Sequence, residues 1–213
     1  LDKDGELVFD KDGVTEFING LSAEYDTYGT VRQFTTTSGE VKEISGGTYG
    51  SRLNQKAEVK YLTDAFLNGL EEVHIPTYSK SSPIRGKDDI GNTYVEVDMG
   101  NQKMYFYKNG VLKLETDVVT GNLRLKHDTP EGVNYVYDKQ KNLILRGPGY
   151  ASPVDFWMAV NGGIGIHDAS WRSEFGGEIY KTDGSHGCIN TPIEKMTELY
   201  DMVTLGTPVI MYY

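Results

Sequence analysis

Short segments in which apolar and polar residues alternate follow one another through the C-terminal part of the chain. Residues 93–98 and 103–108 alternate in this way, and Asn109-Gly110, a strong two-residue hairpin signal, leads into residues 111–119. Further strands are predicted at residues 132–137, 143–146, 156–160 and 208–212. Strands this short and this closely spaced predict a mainly-β domain, built as a sandwich or a barrel, with one or two short helices.

The N-terminal part has a different pattern, typical of an α+β domain. Apolar residues at helical spacing predict one helix over residues 13–25, capped by Asp12, and a second over residues 54–70. Between them, the Ser38-Gly39 turn signal predicts a hairpin, and residues 71–78 are predicted to form another strand.

A polar, charged segment that contains Pro83 and Gly86 runs from Ser79 to Asp89 and is typical of a linker. The sequence therefore predicts an α+β domain over residues 1–88 and a mainly-β domain over residues 89–213.

Composition excludes several classes of protein. The chain has 213 residues, 38% of them hydrophobic, which is sufficient for a packed core. Its formal charge of −10 argues against binding to nucleic acid, which requires clustered Lys and Arg. No run approaches the roughly 18 apolar residues of a membrane span. Because the sequence opens on Leu1, any membrane anchor is expected upstream of it.

Cys188 is the only cysteine, so an internal disulfide and a zinc site of several thiolates are both excluded. It lies in a loop, residues 184–190, that contains two glycines and a histidine. A helix is predicted directly after it, with Thr191 as cap, Pro192 at the first position and Glu194 completing a capping box. A helix N-terminus and a nearby histidine both favour the thiolate, and the main-chain N–H groups of residues 186–188 form a plausible oxyanion hole.

The base for such a thiol has two candidates among the four histidines. His186 is two residues from Cys188, while His167 ends the glycine-rich segment 162–166 and would be brought in by the fold. His74 and His127 are expected to be surface or loop residues. From the residues alone, His167 and His186 remain equally good candidates.

A resemblance separates the two histidines. Gly165-Ile166-His167, followed after seventeen residues by the run Ser185 to Asn190, resembles the signature of the L,D-transpeptidase (YkuD-like) family. The similarity continues in order over about 120 residues, and includes Asn109-Gly110, Val118 to Gly121 and Thr129 to Gly132. The first domain resembles, more weakly, the peptidoglycan-binding modules that precede such catalytic domains, although a spacer is an equal alternative.

The resemblance implies a role for each matching residue. Cys188 corresponds to the nucleophile, His167 to the general base and Ser185 to the residue whose main-chain carbonyl orients that histidine. The 186–188 backbone, including His186 and Gly187, corresponds to the oxyanion hole. Many relatives have arginine where this chain has Asn190. Three further residues are expected to contact substrate: Trp171, Tyr180 and Asn190.

The family's activity implies the substrate and the site of action. A peptidoglycan tetrapeptide would acylate Cys188 with loss of D-alanine, and transfer to a neighbouring stem would give a 3→3 cross-link. Carbapenem acylation is implied as well, and neither metal nor organic cofactor is expected. We expect an extracytoplasmic, cell wall protein, monomeric, with membrane contact only through an upstream anchor.

Three alternatives remain open at the level of sequence. Water in place of the acceptor amine would make the protein an L,D-carboxypeptidase, and an inert Cys188 would make it a non-catalytic wall-binding protein. A sortase-like enzyme is disfavoured, because it normally requires an arginine that the position of Asn190 does not provide.

Overall fold

The structure is a computed structural model that describes residue 3, residues 9–147 and residues 150–213. The chain forms two compact units, one of the described residues up to Tyr28 with Gly50–Asp89, the other of Gly29–Tyr49 with Ile90–Tyr213. The boundary predicted after residue 88 lies one residue before the division at Asp89. Residues 1, 2 and 4–8 of the predicted first domain lie outside the described residues.

Secondary structure in the described chain comprises α-helices, strands and one 3₁₀ turn at Leu123–Leu125. The helices are α1 (Lys11–Tyr25), α2 (Gln55–Asn68), α3 (Ile179–Asp183) and α4 (Ile193–Met202). The strands are β1 (Arg32–Thr35), β2 (Val41–Ile44), β3 (Arg52–Leu53), β4 (Tyr78–Lys80), β5 (Tyr94–Asp98), β6 (Lys103–Lys108), β7 (Val111–Asp117), β8 (Gly132–Tyr135), β9 (Asp138–Gly147), β10 (Tyr150–Asn161), β11 (Ile164–Asp168), β12 (Ile189–Thr191) and β13 (Pro208–Tyr212).

The first unit packs α1 against α2 and adds the short β3–β4 ladder. The cap of α1 is Asp10, whose carboxylate accepts from the Gly13 N–H at 2.9 Å, so the helix begins earlier than the predicted cap at Asp12 allows. The prediction of a strand over residues 71–78 was wrong, since pairing starts only at Tyr78.

The second unit contains two large sheets around one core, which confirms the predicted mainly-β architecture. The five-stranded sheet has the order β7-β6-β5-β13-β8, and the four-stranded sheet has the order β12-β11-β10-β9. Alternate residues of both sheets point inward, as the period of a strand requires. The shared core includes Val95, Val97, Met104, Phe106, Met158, Val160, Ile166, Ile189, Val209 and Met211, with Met196 and Leu199 from α4.

The β1–β2 hairpin belongs to the second unit and covers the other face of the five-stranded sheet. Phe34 and Ile44 from the hairpin pack with Ile210 and Tyr212 of β13 in a second apolar cluster. Strand β13 is therefore buried on both faces, and all five of its residues are apolar or aromatic or proline.

The helix after the cysteine loop begins later than predicted. Thr191 lies in β12, where it pairs with Asp168, and Pro192 is the N-cap of α4 without any side-chain capping bond. The capping-box prediction was wrong because strand pairing extends through Thr191 and moves the helix start to Ile193.

Candidate active site

The site lies on the face of the four-stranded sheet that points away from the shared core. In the ladders, Trp157 pairs with His167 across β10 and β11, and His167 pairs with Asn190 across the parallel β11 and β12. Their neighbours Ile166 and Ile189 enter the core. Since successive side chains of a strand alternate between faces, the other three residues share the outer face.

Cys188 directly precedes β12 on the same face. Its thiol donates to the Gly163 carbonyl at 3.8 Å, and its side chain packs against the small cluster that includes Trp157. A pocket of about 200 Å³ opens at this point. It is lined by Leu145, Ser152, His167, Trp171, Arg172, Gly184, Ser185, His186, Cys188 and Asn190.

Burial raises the pKa of the Cys188 thiol, and the backbone of Gly165 offsets part of that rise. The help expected from a helix N-terminus is reduced, because α4 starts only at Ile193. The pKa therefore moves opposite to the sequence-based expectation, in the direction that favours the protonated thiol.

The His167 imidazole is buried, and its pKa shift favours the neutral ring. Burial lowers the pKa of its imidazole, and the positive charge of Arg172 adds to that effect, while the carbonyl and carboxylate of Asp168 oppose it. The rings of Trp157 and Trp171 lie against the imidazole, with centroids 5.8 Å and 5.9 Å away. Cys188 and His167 line the same pocket, and both pKa shifts favour the uncharged forms, a thiol and a neutral imidazole.

The carbonyl that orients His167 is not the predicted one. His167 Nδ1 donates to the carbonyl of Asp168 at 2.7 Å, whereas the Ser185 carbonyl accepts from the Asn122 N–H at 3.0 Å. The prediction for Ser185 fails because its backbone bridges to residues 120–122 and is already engaged there.

Ser185 instead shapes the cysteine loop through its hydroxyl. That hydroxyl accepts from the Gly187 N–H at 3.0 Å and donates to the Cys188 carbonyl at 2.6 Å. The Gly187 N–H, one of the predicted oxyanion donors, is thus occupied. The Cys188 N–H makes no hydrogen bond within the described residues. His186 lines the pocket, and its ring stacks on that of His127 at 4.7 Å.

Two of the three predicted substrate contacts line the pocket. Trp171 lines it with half of its surface exposed. Asn190 lines it as a buried residue, with its amide nitrogen 3.2 Å from His167 Nε2. Tyr180 does not: it is only 5% exposed, and its ring lies near that of Tyr213. The helical turn of α3 directs Tyr180 inward, so the structure does not bring it to the site.

Two contributors to the site, Trp157 and Thr129, were missed from the sequence, and so was the contact that Arg172 makes with Asn190. A regular hairpin turn at Gly162-Gly163 would place Met158 opposite His167, and Trp157 takes that position only because the ladder shifts by one residue between Ala159 and Asn161, which no sequence pattern indicates. Arg172 occupies the loop after β11 and bonds Asn190, but no local pattern indicates this. Thr129 is buried and donates to the Gly187 carbonyl at 2.7 Å, a long-range contact without a sequence signal.

Comparisons with known proteins identify two families in the chain. Residues 92–211 match the L,D-transpeptidase catalytic domain (YkuD), and residues 2–74 match the "Putative peptidoglycan binding domain". A search of curated proteins finds no match.

Solved structures agree over the whole chain. A cysteine-to-serine mutant of Enterococcus faecium L,D-transpeptidase is 36% identical with a TM-score of 0.86, covering 100% of this chain and 86% of that one. An avibactam carbamoyl enzyme is 37% identical with a TM-score of 0.86, covering 99% and 84%. The E. faecium catalytic domain acylated by ertapenem is 48% identical with a TM-score of 0.52, covering 57% of this chain and 98% of that one.

The fold and the matches define a helical N-terminal region followed by a β-rich catalytic domain with two sheets. The chain belongs to the L,D-transpeptidase (YkuD-like) family, and residues 2–74 of its N-terminal region match the model of a peptidoglycan-binding domain. The two families imply a peptidoglycan substrate and a cell wall location. Within the described residues, no helix combines the length and apolarity needed to cross a membrane.

Proposed function

We propose that this chain is a cysteine-dependent peptidoglycan L,D-transpeptidase, with Cys188 as nucleophile and His167 as general base. The observation that carries the proposal is the meeting of the only thiol and a buried neutral imidazole in one pocket of the catalytic domain. A neutral base within reach of a thiol is the requirement for generating a thiolate at the moment of attack.

The first half-reaction acylates the enzyme. His167 Nε2 takes the thiol proton as the Cys188 sulfur attacks the carbonyl carbon of the third residue in a tetrapeptide stem. The tetrahedral intermediate collapses with cleavage of the C–N bond, and the imidazolium gives its proton to the departing D-alanine amine. A thioester on Cys188 remains. The Cys188 N–H is the main-chain donor that we assign to the oxyanion.

The second half-reaction transfers the acyl group. The side-chain amine of a third residue on a neighbouring stem attacks the thioester, and His167 accepts the amine proton. Cleavage of the C–S bond then gives the 3→3 cross-link and returns the proton to the sulfur of Cys188. The rings of Trp157 and Trp171 favour the imidazolium that forms in both halves, since aromatic faces attract cations.

Product analysis tests the proposal. A disaccharide tetrapeptide is incubated with wild type, Cys188→Ala and the exposed-helix control Lys195→Gln, and products are separated and weighed. Wild type and control should release D-alanine and form a cross-linked dimer, and Cys188→Ala should do neither. Release of D-alanine with tripeptide alone would make the enzyme a carboxypeptidase. Absence of both products in wild type would favour a wall-binding protein.

A further inference from the structure

Arg172 lines the pocket without offering its charge to a ligand. Its Nε donates to the Asn190 side-chain oxygen at 2.9 Å, and its Nη2 donates to the main-chain carbonyl of Asp183 at 2.7 Å. Its Nη1 lies 3.2 Å from the Asp183 carboxylate. All three guanidinium nitrogens are therefore engaged by protein groups, and a planar fork held in this way is fixed in orientation.

The contact with Arg172 fixes the orientation of the Asn190 amide. Because Arg172 is purely a donor, the amide oxygen must face it, and the amide nitrogen then faces His167. That nitrogen lies 3.2 Å from His167 Nε2. In the opposite orientation, an amide N–H would face the guanidinium, so two donors would oppose each other.

The orientation of Asn190 in turn selects the tautomer of His167. An amide N–H can only donate, so Nε2 must accept and carry the lone pair. The Asp168 carbonyl can only accept, so Nδ1, 2.7 Å away, must carry the proton. Both hydrogen bonds require the same neutral tautomer, with the basic nitrogen at Nε2.

We propose that Arg172 is a positioning residue that acts through Asn190 to hold His167 in the Nδ1–H tautomer. The inference rests on the proposed function for the use of that tautomer, in which Nε2 receives the thiol proton once the amide of Asn190 gives way. Arg172 reaches Asn190 from the loop after β11, and its effect reaches the histidine through the amide.

Nitrogen NMR of the histidine ring tests the inference without any turnover. In wild type, His167 should give the Nδ1–H tautomer alone. In Arg172→Met the Asn190 amide can turn its oxygen toward Nε2, so the Nε2–H tautomer should appear beside the Nδ1–H tautomer that the Asp168 carbonyl still favours. The pKa of His167 should also rise, because a positive charge has been removed. The other titratable groups around the ring, Asp168, His186 and Cys188, are unchanged in the variant. Arg124→Met is the matched control, since among the described residues Arg124 bonds only the exposed carbonyl of Thr182, at 3.2 Å.

Acylation by ertapenem supplies the kinetic part of the test. Arg172→Met should slow acylation about tenfold, a fraction of what a general base contributes. In an Asn190→Ala background the same change should have no further effect, because the pathway through the amide is already lost. Arg172→Lys keeps the charge but loses the planar guanidinium, so its acylation rate should lie between those of wild type and Arg172→Met. If the methionine variant does not fold, the lysine variant provides the test.

An unchanged tautomer in both Arg172 variants, or equal slowing in the Asn190→Ala background, would overturn the inference. Failure of the proposed function has a different signature. In that case wild type forms no cross-linked product, while the tautomer of His167 still responds to Arg172.

Discussion

At the scale of single residues, the resting pair of Cys188 and His167 is electrically neutral. Burial acts on both groups in the direction that removes charge, raising the pKa of the thiol and lowering that of the imidazole. A neutral pair avoids the cost of two buried charges and makes proton transfer part of the attack on substrate.

Alkylation of Cys188 by iodoacetamide should follow the raised pKa. Only the thiolate reacts, so the rate should be low at pH 7 and should increase with pH, with its midpoint above the ordinary value of 9.0. Slow alkylation thus does not identify an inert cysteine in this fold. A midpoint below pH 8 would contradict the neutral pair, and denatured protein provides the reference curve.

The rate of acylation by a carbapenem should decrease at acid pH, as His167 becomes protonated. Protonation removes the base, and the lowered pKa places this loss below the ordinary imidazole value of 6.5. The rate should therefore stay level from pH 8 down to about 6.5 and decrease only at lower pH. Stopped-flow measurement of acylation checks this, and a midpoint above 7 would show that burial does not dominate.

Trp171 should matter for rate more than for stability. Its side chain is half-exposed, but its ring lies 5.9 Å from that of His167. Trp171→Ala should slow acylation about two- to fivefold, since a cation–aromatic contact at such a site contributes about 0.5–1 kcal/mol. Phe17→Ala, which removes another exposed aromatic ring far from the pocket residues in sequence, should leave the rate unchanged.

At the scale of elements, the loop that carries Cys188 is held by side-chain hydroxyls. The Thr129 hydroxyl accepts from the Gly121 N–H at 2.9 Å and donates to the Gly187 carbonyl. The Ser185 hydroxyl accepts from the Gly187 N–H and donates to the Cys188 carbonyl. Gly187 has φ of +114°, which a residue with a side chain rarely adopts. The loop geometry therefore depends on a few buried polar contacts.

Thr129→Val should loosen this loop. The variant keeps the side-chain shape but leaves a buried N–H and a buried carbonyl unpaired, at a cost of about 1–3 kcal/mol for each group. Urea unfolding should show the lost stability, and acylation should slow as well. Thr197→Val on the exposed side of α4 is the control and should change neither stability nor acylation, because in the described part of the chain its hydroxyl bonds only the Ile193 carbonyl.

Strand periodicity made most strands of the catalytic domain predictable from the sequence. The contacts within the site were not predictable, because they join residues far apart in the chain. Alternation located β5, β6 and β7, and the family signature located Cys188 and His167. The orienting carbonyl of Asp168 was missed because it depends on the ring orientation of His167, and the contact of Arg172 with Asn190 was missed because it joins the loop after β11 to strand β12 across 18 residues of sequence. The predicted start of α4 was wrong because pairing of Thr191 with Asp168 extends strand β12.

At the scale of the whole molecule, the two compact units do not follow the order of segments along the chain. Residues 29–49 lie in sequence between the two helices of the first unit, but they belong to the second. Local patterns predicted the hairpin correctly and gave no sign of where it packs. Its Thr37 donates from N–H and hydroxyl to the buried Glu96 carboxylate at 2.8 Å and 2.7 Å.

A fragment of residues 90–213 should therefore fold but be less stable than one that retains the hairpin. Loss of Phe34 and Ile44 exposes Ile210 and Tyr212, and should cost about 3 kcal/mol or more from apolar burial alone. The comparison fragment joins residues 29–49 to 90–213 through a short Gly/Ser linker. Equal unfolding midpoints for the two fragments would refute the assignment of the hairpin to the second unit.

The central claim, that Cys188 is acylated by the donor stem with His167 as its base, is tested most directly by trapping the acyl-enzyme. Wild type, Cys188→Ala and His167→Gln are mixed with the tetrapeptide donor or ertapenem, quenched in acid and analysed by intact-mass spectrometry and peptide mapping. We predict a covalent adduct on the peptide that contains Cys188 in wild type, none in Cys188→Ala, and formation slowed at least a hundredfold in His167→Gln. An adduct on another residue, or unchanged acylation in Cys188→Ala, would contradict the claim.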